Sequence, residues 1–350
     1  KQHHMSPRTQ QLLYCDVSNT AGNIFFSKMS HANDSIHDEA QDDRFLEILM
    51  VSTLSTIPCC VFLYINGIML FTLRSKAVFC ETARYILLYN LLFAETVQLV
   101  MSQVLFLLAA YSVIMTYPLC GFLTQLANLT TAISPLTLVV MSVERYVAVC
   151  YPLRHADIVT VRNTGVSIIL IWTFSSLNVV IRVLLLLELP FDNLLNLQVK
   201  GFCSGLSMLV GPISHAYSKA FAGFVFTSAG VAIISSYIGV AAAARSASAD
   251  KASAHKARNT LLLHLVQLGL SLSSTVYYPL LIALSTVVVR VVFFRIQSLV
   301  YMFIFIVPRC LSSLIYGLRD QSIRPVLMFY LCCRLRLSAV RVKSDVSSSA

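Results

Sequence analysis

Met141-Ser-Val-Glu-Arg-Tyr-Val-Ala-Val-Cys-Tyr-Pro-Leu-Arg-His155 closes an apolar run that begins near Leu119. That run is long enough to cross a bilayer as a helix, which takes about 20 residues. Where it ends, Glu144 and Arg145 stand side by side, followed by Tyr146 and a loop broken at Pro152. Where hydrocarbon gives way to water, a carboxylate and a guanidinium both keep their charge. The arginine is also long enough to swing back into a helix bundle. Taken alone, the pair reads as two interfacial charges that end a helix.

The surrounding composition says what kind of helix this is. Hydrophobic residues make up 57% of the 350 and charged residues only 12%, about half the charged fraction of a soluble domain. The chain is built for lipid. A net charge of +10 can signal nucleic acid, but here the basic residues are scattered through short loops and the tail. That distribution suits cytoplasmic loops and an anionic leaflet, so no nucleic-acid partner is expected. No stretch is long and polar enough for a second globular domain. No cleavable signal peptide is expected before the first apolar run, which would itself direct insertion.

Seven such runs cover roughly Ile48–Leu73, Tyr85–Tyr111, Leu119–Val147, Val166–Leu187, Ala220–Ala244, Thr260–Leu284 and Val291–Ile315. Backbone amides in hydrocarbon must be satisfied within the segment, so each run should be a helix. The expected fold is an all-α membrane protein, a seven-transmembrane helix bundle over residues 48–316. Ahead of it lies a polar, acid-rich tail, residues 1–47, expected to be disordered. Residues 317–350 should form a short amphipathic eighth helix and a tail. Within that segment, juxtamembrane Cys332 and Cys333 are candidates for palmitoylation.

An odd number of spans puts the two ends on opposite sides. Arg74, Lys76, Arg84, Arg154, Arg162, Arg245, Lys251, Lys256, Arg258, Arg319, Arg324, Arg334 and Arg336 fall on one set of connections. The opposite loops, leaving the N-terminal tail aside, hold only Lys200, Lys219, Arg290 and Arg295. The richer set belongs inside, which leaves the N-terminus extracellular, the C-terminus cytoplasmic and Asn33 of Asn33-Asp34-Ser35 open to glycosylation.

Several polar residues interrupt these runs. Asn66 in the first should hydrogen-bond a neighbouring helix. Glu95 in the second is ionisable at membrane depth and so a functional candidate; the alternative is a protonated, hydrogen-bonded carboxyl. Trp172 in the fourth suits core packing. Asn128-Leu-Thr130 also fits the glycosylation pattern but lies inside a helix.

The string from Met141 resembles the MxxxRYxAxCxPLxY signature of odorant receptors within the rhodopsin-like G-protein-coupled receptors, with Glu144 where that family usually has Asp. Two further stretches extend the resemblance. Lys256-Ala-Arg-Asn-Thr260, with His264 and Leu265, is similar to the KAxxTxxxHL pattern. Pro308-Arg-Cys-Leu-Ser-Ser-Leu-Ile-Tyr316-Gly317 is similar to PxLNPxIYG and to the PRCLSPLIYG of teleost odorant receptors. Ser312 and Ser313 depart from it, replacing the usual Asn and the proline that bends this helix.

The resemblance implies a plasma-membrane receptor for a small extracellular odorant that activates a heterotrimeric G protein, of the olfactory stimulatory type that raises cyclic AMP. It implies a disulfide between Cys120 and Cys203, which an oxidising exterior allows. Glu144, Arg145, Tyr146, Tyr237, His264 and Tyr316 would form the coupling and switch region. Glu95, Ser134 and Ser312 resemble a sodium site, sodium being the one small ion the reading admits and no other cofactor being expected. The pocket would take polar Asn128, Thr131, Thr275 and Tyr278, with Phe221 and Met302 as apolar wall; each is equally readable as helix packing. No acid in the outer half of the third span awaits an amine, which argues against an aminergic ligand.

Other classes fit less well. A transporter calls for repeats or broken helices, and the runs read as unbroken. An intramembrane enzyme calls for a constellation such as HExxH, which the sequence lacks. A receptor of the same fold for a non-odorant ligand outside the nose stays open.

Overall fold

The computed structural model describes residues 37–111, 113, 115–187, 203, 211–246, 255–256, 258–270, 280, 284, 296, 299–307, 323–325 and 328–329. They are almost wholly helical. In chain order the main elements are α1 (His37–Ser75), α2 (Ala83–Ala110), α3 (Tyr117–Thr131), α4 (Ile133–Cys150), α5 (Val161–Leu187) and α6 (Gly211–Ser246). They are followed by α7 (residues 258–270) and α8 (residues 299–307). α3 and α4 together make the third span. Five of the resulting helices are long and apolar enough to cross a membrane, as expected of the first five runs. α7 and α8 are the described parts of the sixth and seventh runs.

Two boundaries differ from expectation. α1 begins at His37, about three turns ahead of Ile48, so residues 37–47 are helical where the acid-rich composition suggests disorder. The third span is not continuous. Its ladder breaks at Ala132, between α3 and α4. Pro135 is the cause: it has no amide hydrogen for the Thr131 carbonyl, and its ring crowds that carbonyl. Bonding resumes with the Leu136 amide donating to the Ala132 carbonyl at 3.3 Å.

The core lies among α1, α2, α4, α6 and α7. Met69, Leu87, Leu91, Leu92, Leu138 and Ile233 are fully or almost fully buried there. Lipid supplies little hydrophobic drive between helices, so packing and interhelical hydrogen bonds carry the specificity. A ladder of such bonds runs through the bundle. The Asn66 side-chain amide donates to Thr96 Oγ1 at 3.3 Å, joining α1 to α2. The Asn90 amide donates to Thr137 Oγ1 at 3.0 Å, and its carbonyl accepts Trp172 Nε1 at 2.9 Å, so one residue ties α2, α4 and α5. Gln98 donates to Thr131 at 3.0 Å. Gln103 donates to Ser55 and Thr56 at 3.2 and 3.0 Å and accepts Tyr301 Oη at 3.4 Å.

Candidate functional site

Beyond the break at Ala132, α4 delivers the Glu144-Arg145-Tyr146 string to one end of the bundle. Neighbours on a helix do not share a face, yet Arg145 Nε reaches Glu144 Oε2 at 3.0 Å. The long guanidinium stem folds back along its own turn to do so. His155, just past the loop, stands 3.9 Å from the other carboxylate oxygen and pairs with it when protonated. Glu144 is nearly buried and Arg145 retains 19% side-chain exposure. The cation is therefore held, but remains reachable from the helix end.

Tyr146 turns the opposite way, onto α6. A Cβ added at Gly239 would overlap ring carbon Cε2 of Tyr146 and lie 2.9 Å from Cδ2. Only a glycine allows this approach. The Tyr146 ring meets Tyr151 edge-on with centroids 6.0 Å apart. Cys150 Sγ donates to the Gly239 carbonyl at 3.8 Å. Tyr237, Val240, Val149 and Leu261 complete this small cluster, which brings α7 against α4 and α6. The structure thus assembles Glu144, Arg145, Tyr146 and Tyr237 at one end, with His264 fully buried one turn along α7 from Leu261. Tyr316 lies outside the described residues.

Gly239→Ala tests this packing. Helix propensity gains up to about 1 kcal/mol on that change, but overpacking costs about 1–3 kcal/mol. The expected result is a lower thermal midpoint, read beside Gly223→Ala in the same helix, where nothing lies within 4 Å. Equal behaviour of the two variants would contradict the contact.

The other end of the third span, roughly 35–40 Å of helix away, carries the disulfide expected from Cys120 and Cys203; their Cα atoms are 5.6 Å apart. Met115, Leu105, Leu108, Tyr117 and Leu123 pack around it.

The residues assigned to a ligand pocket are only partly gathered. Thr131 is half-buried, accepts Gln98 and donates to the Ala127 carbonyl at 3.0 Å, a structural use of its hydroxyl. Asn128 is half-buried one turn ahead of it on α3. Phe221 stacks between Phe174 and Tyr217 in the seam of α5 and α6, at centroid distances of 5.6 and 6.1 Å. Met302 opens the π-helical turn Met302–Ile306 of α8 and packs beside Tyr301 and Phe106. Thr275 and Tyr278 lie outside the described residues.

Glu95 is buried and accepts Gln267 Nε2 at 2.8 Å, linking α2 to α7. A donor to Oε1 serves the carboxyl whether it is ionised or protonated. Ser134 is buried on α4, and its hydroxyl has no hydrogen-bond partner among the described residues. Ser312, Asn33, Cys332 and Cys333 lie outside them, as does most of the expected eighth helix. Sequence reasoning passed over Asn90, Gln98, Gln103 and Gln267. Their signal was a polar amide within an apolar run, the same signal that singled out Asn66.

Comparison with known proteins agrees with this geometry. Residues 65–334 match the family model of the 7 transmembrane receptors (rhodopsin family). Odorant receptor 131-2 of Danio rerio is 32% identical over 274 residues, which is 78% of this chain and 83% of that protein. Shorter matches include olfactory receptor 2A1/2A42 of Homo sapiens, 42% identical over 74 residues covering 21% of this chain and 24% of that one. Olfactory receptor 2A7 of Mus musculus is 44% identical over 73 residues, covering 20% and 24%. These relatives are receptors, not enzymes. The chain belongs to the rhodopsin family of seven-transmembrane receptors, and within it to the odorant receptors.

Proposed function

We propose that the chain binds a small odorant at the end carrying the Cys120–Cys203 disulfide and activates a heterotrimeric G protein at the end carrying Arg145. The G protein is the olfactory stimulatory type, which raises cyclic AMP. A disulfide belongs on the oxidising side of the plasma membrane, and the excess of Lys and Arg falls on connections at the opposite end. The two criteria agree, with the N-terminus outside and the C-terminus in the cytoplasm.

The observation that carries the reading is the Glu144–Arg145 clamp beside the Tyr146–Gly239 contact. Arg145 is a charge-bearing donor held in reserve at a helix end. α7 touches this region through Leu261 and is tied farther along to α2 through Gln267 and Glu95. Swinging the Leu261 end of α7 outward about that tie opens the space in front of Arg145. A ligand that binds the opened arrangement more tightly shifts the population toward it. Arg145 then leaves Glu144 for an acceptor on the G protein.

The test is cyclic AMP in cells expressing the receptor, exposed to a panel of water-soluble odorants. The reading predicts a ligand-dependent rise. It also predicts raised cyclic AMP without ligand in Glu144→Gln, because the charge-assisted hold on Arg145 is weakened. At matched surface expression, a flat response of the wild type together with unchanged basal signal in the variant would overturn it.

A further inference from the structure

Arg182 lies in α5, one turn and a little more before the helix ends at Leu187, on the side of the bundle where the disulfide sits. Its Nε donates to Asn178 Oδ1 at 3.3 Å and its Nη2 to Ser218 Oγ at 3.2 Å. Asn178 is buried, and its Oδ1 also accepts Tyr217 Oη at 3.1 Å. The guanidinium carbon stands 5.8 Å from the centroid of the Tyr217 ring. Every one of these partners is neutral. The ion pairs among the described residues join Glu144 to Arg145 and His155 and leave Arg182 out.

Among the described residues, the neighbouring turns do not supply the missing charge. Residues 174–187 of α5 and 211–221 of α6 contain no Asp or Glu, while α6 adds His215 and Lys219. Below the guanidinium the seam is aromatic, with Phe174, Phe221 and Tyr217 stacked in sequence. A cation inside a membrane span is costly and marks a functional site whose partner should be named. Two hydrogen bonds to neutral acceptors do not account for it, since neither needs a charged donor. What arginine adds is a planar fork that binds an oxyanion through two parallel hydrogen bonds.

We infer that Arg182 is an oxyanion-binding subsite for an amphiphilic ligand, taking its carboxylate, sulfonate or sulfate while the apolar body lies along Tyr217, Phe221 and Phe174. The inference rests on the proposed receptor function and on the disulfide end facing outward, and it names the ligand's chemistry. Asn178 and Ser218 are positioning residues that fix the fork, leaving its remaining N–H groups for the ligand. Tyr217 buttresses the cation from its ring face. A membrane-lipid phosphate offers the same chemistry as a free oxyanion, so the experiment separates the two.

The test uses the full-length receptor in phosphatidylcholine nanodiscs, with and without phosphatidylglycerol. The probes are 4-phenylbutanoate, octanoate and 2-phenylethanesulfonate at millimolar concentration, each beside its neutral amide, and the readout is the thermal midpoint. At least one oxyanion should raise the midpoint where its amide does not. That effect should weaken about tenfold in apparent affinity in Arg182→Gln and be partly kept in Arg182→Lys. Gln keeps a donor for Asn178 or Ser218; should it nonetheless fail to fold, Arg182→Lys against wild type carries the comparison, with weaker binding expected. No oxyanion surpassing its amide, or an effect indifferent to the substitutions, overturns the inference. Stabilisation by phosphatidylglycerol alone overturns it as well, because the occupant would then be lipid. No G protein is present in this assay. A receptor that binds the oxyanion yet never raises cyclic AMP would sink the signalling proposal and leave the subsite standing.

Discussion

Cys203→Ser is expected to remove most of the folded receptor from the cell surface at 37 °C. The Cys120–Cys203 bond joins residues 83 apart in sequence. In the chain-entropy account, a closed loop of that length restrains the unfolded state by about 4–5 kcal/mol. That is a large share of the total stability of a typical domain, about 5–15 kcal/mol. The surroundings add to the cost. Cys120 and Cys203 are both buried in an apolar cluster with Met115, so serine would place a hydroxyl where few acceptors exist. The control is Cys60→Ser, at an exposed free thiol in α1, which should behave as wild type. Surface labelling and the thermal midpoint of the detergent-solubilised protein read both variants. Wild-type midpoint and expression in Cys203→Ser would mean that the bond does not hold the outer end together.

Asn90→Leu is expected to lower stability by roughly 2–3 kcal/mol, more than an ordinary interhelical polar contact. Such bonds between membrane helices average about 0.6 kcal/mol and reach about 1.7, but Asn90 makes two, to different helices. Its loss has unequal consequences. Thr137 keeps a partner, because its hydroxyl donates to the Ile133 carbonyl at 2.7 Å. The half-buried Trp172 indole keeps none, and an unsatisfied donor costs about 1–3 kcal/mol. Trp172→Phe removes that donor in advance. The double variant should therefore be more stable than the sum of the single changes by about 1 kcal/mol. Strict additivity would contradict the triad.

Much of this molecule is legible from residue order, and the reasons are physical. Hydrocarbon demands helices of a minimum length, so the apolar runs gave the first five spans directly. The Glu144-Arg145-Tyr146 string could be placed because it sits where such a run stops, and its side chains meet locally. Partners distant in sequence could not be placed in this way. Glu95 reads as a buried acid wanting a partner, but nothing in the order of residues selects Gln267, 172 positions away. Gly239 is one unremarkable glycine in a long apolar run until Tyr146 is seen against it. The break at Ala132 is a different kind of miss. Pro135 carries its own signal, but a run long enough to span conceals a proline that interrupts the ladder without ending the helix. The early start of α1 shows the converse: acidic residues that lower hydropathy also favour the start of a helix.

Guanine-nucleotide exchange reads coupling at the Arg145 end of the bundle without the rest of the cell. The purified receptor in nanodiscs is mixed with a stimulatory heterotrimer and an odorant active in cells, wild type beside Arg145→Ala. The account predicts ligand-driven exchange in the wild type and its loss, by an order of magnitude or more, in the variant; one charge-assisted bond of about 1.5–3 kcal/mol is worth that factor. The variant should still bind ligand at the disulfide end. Full exchange without Arg145 would contradict the assignment of this end of the bundle to the G protein.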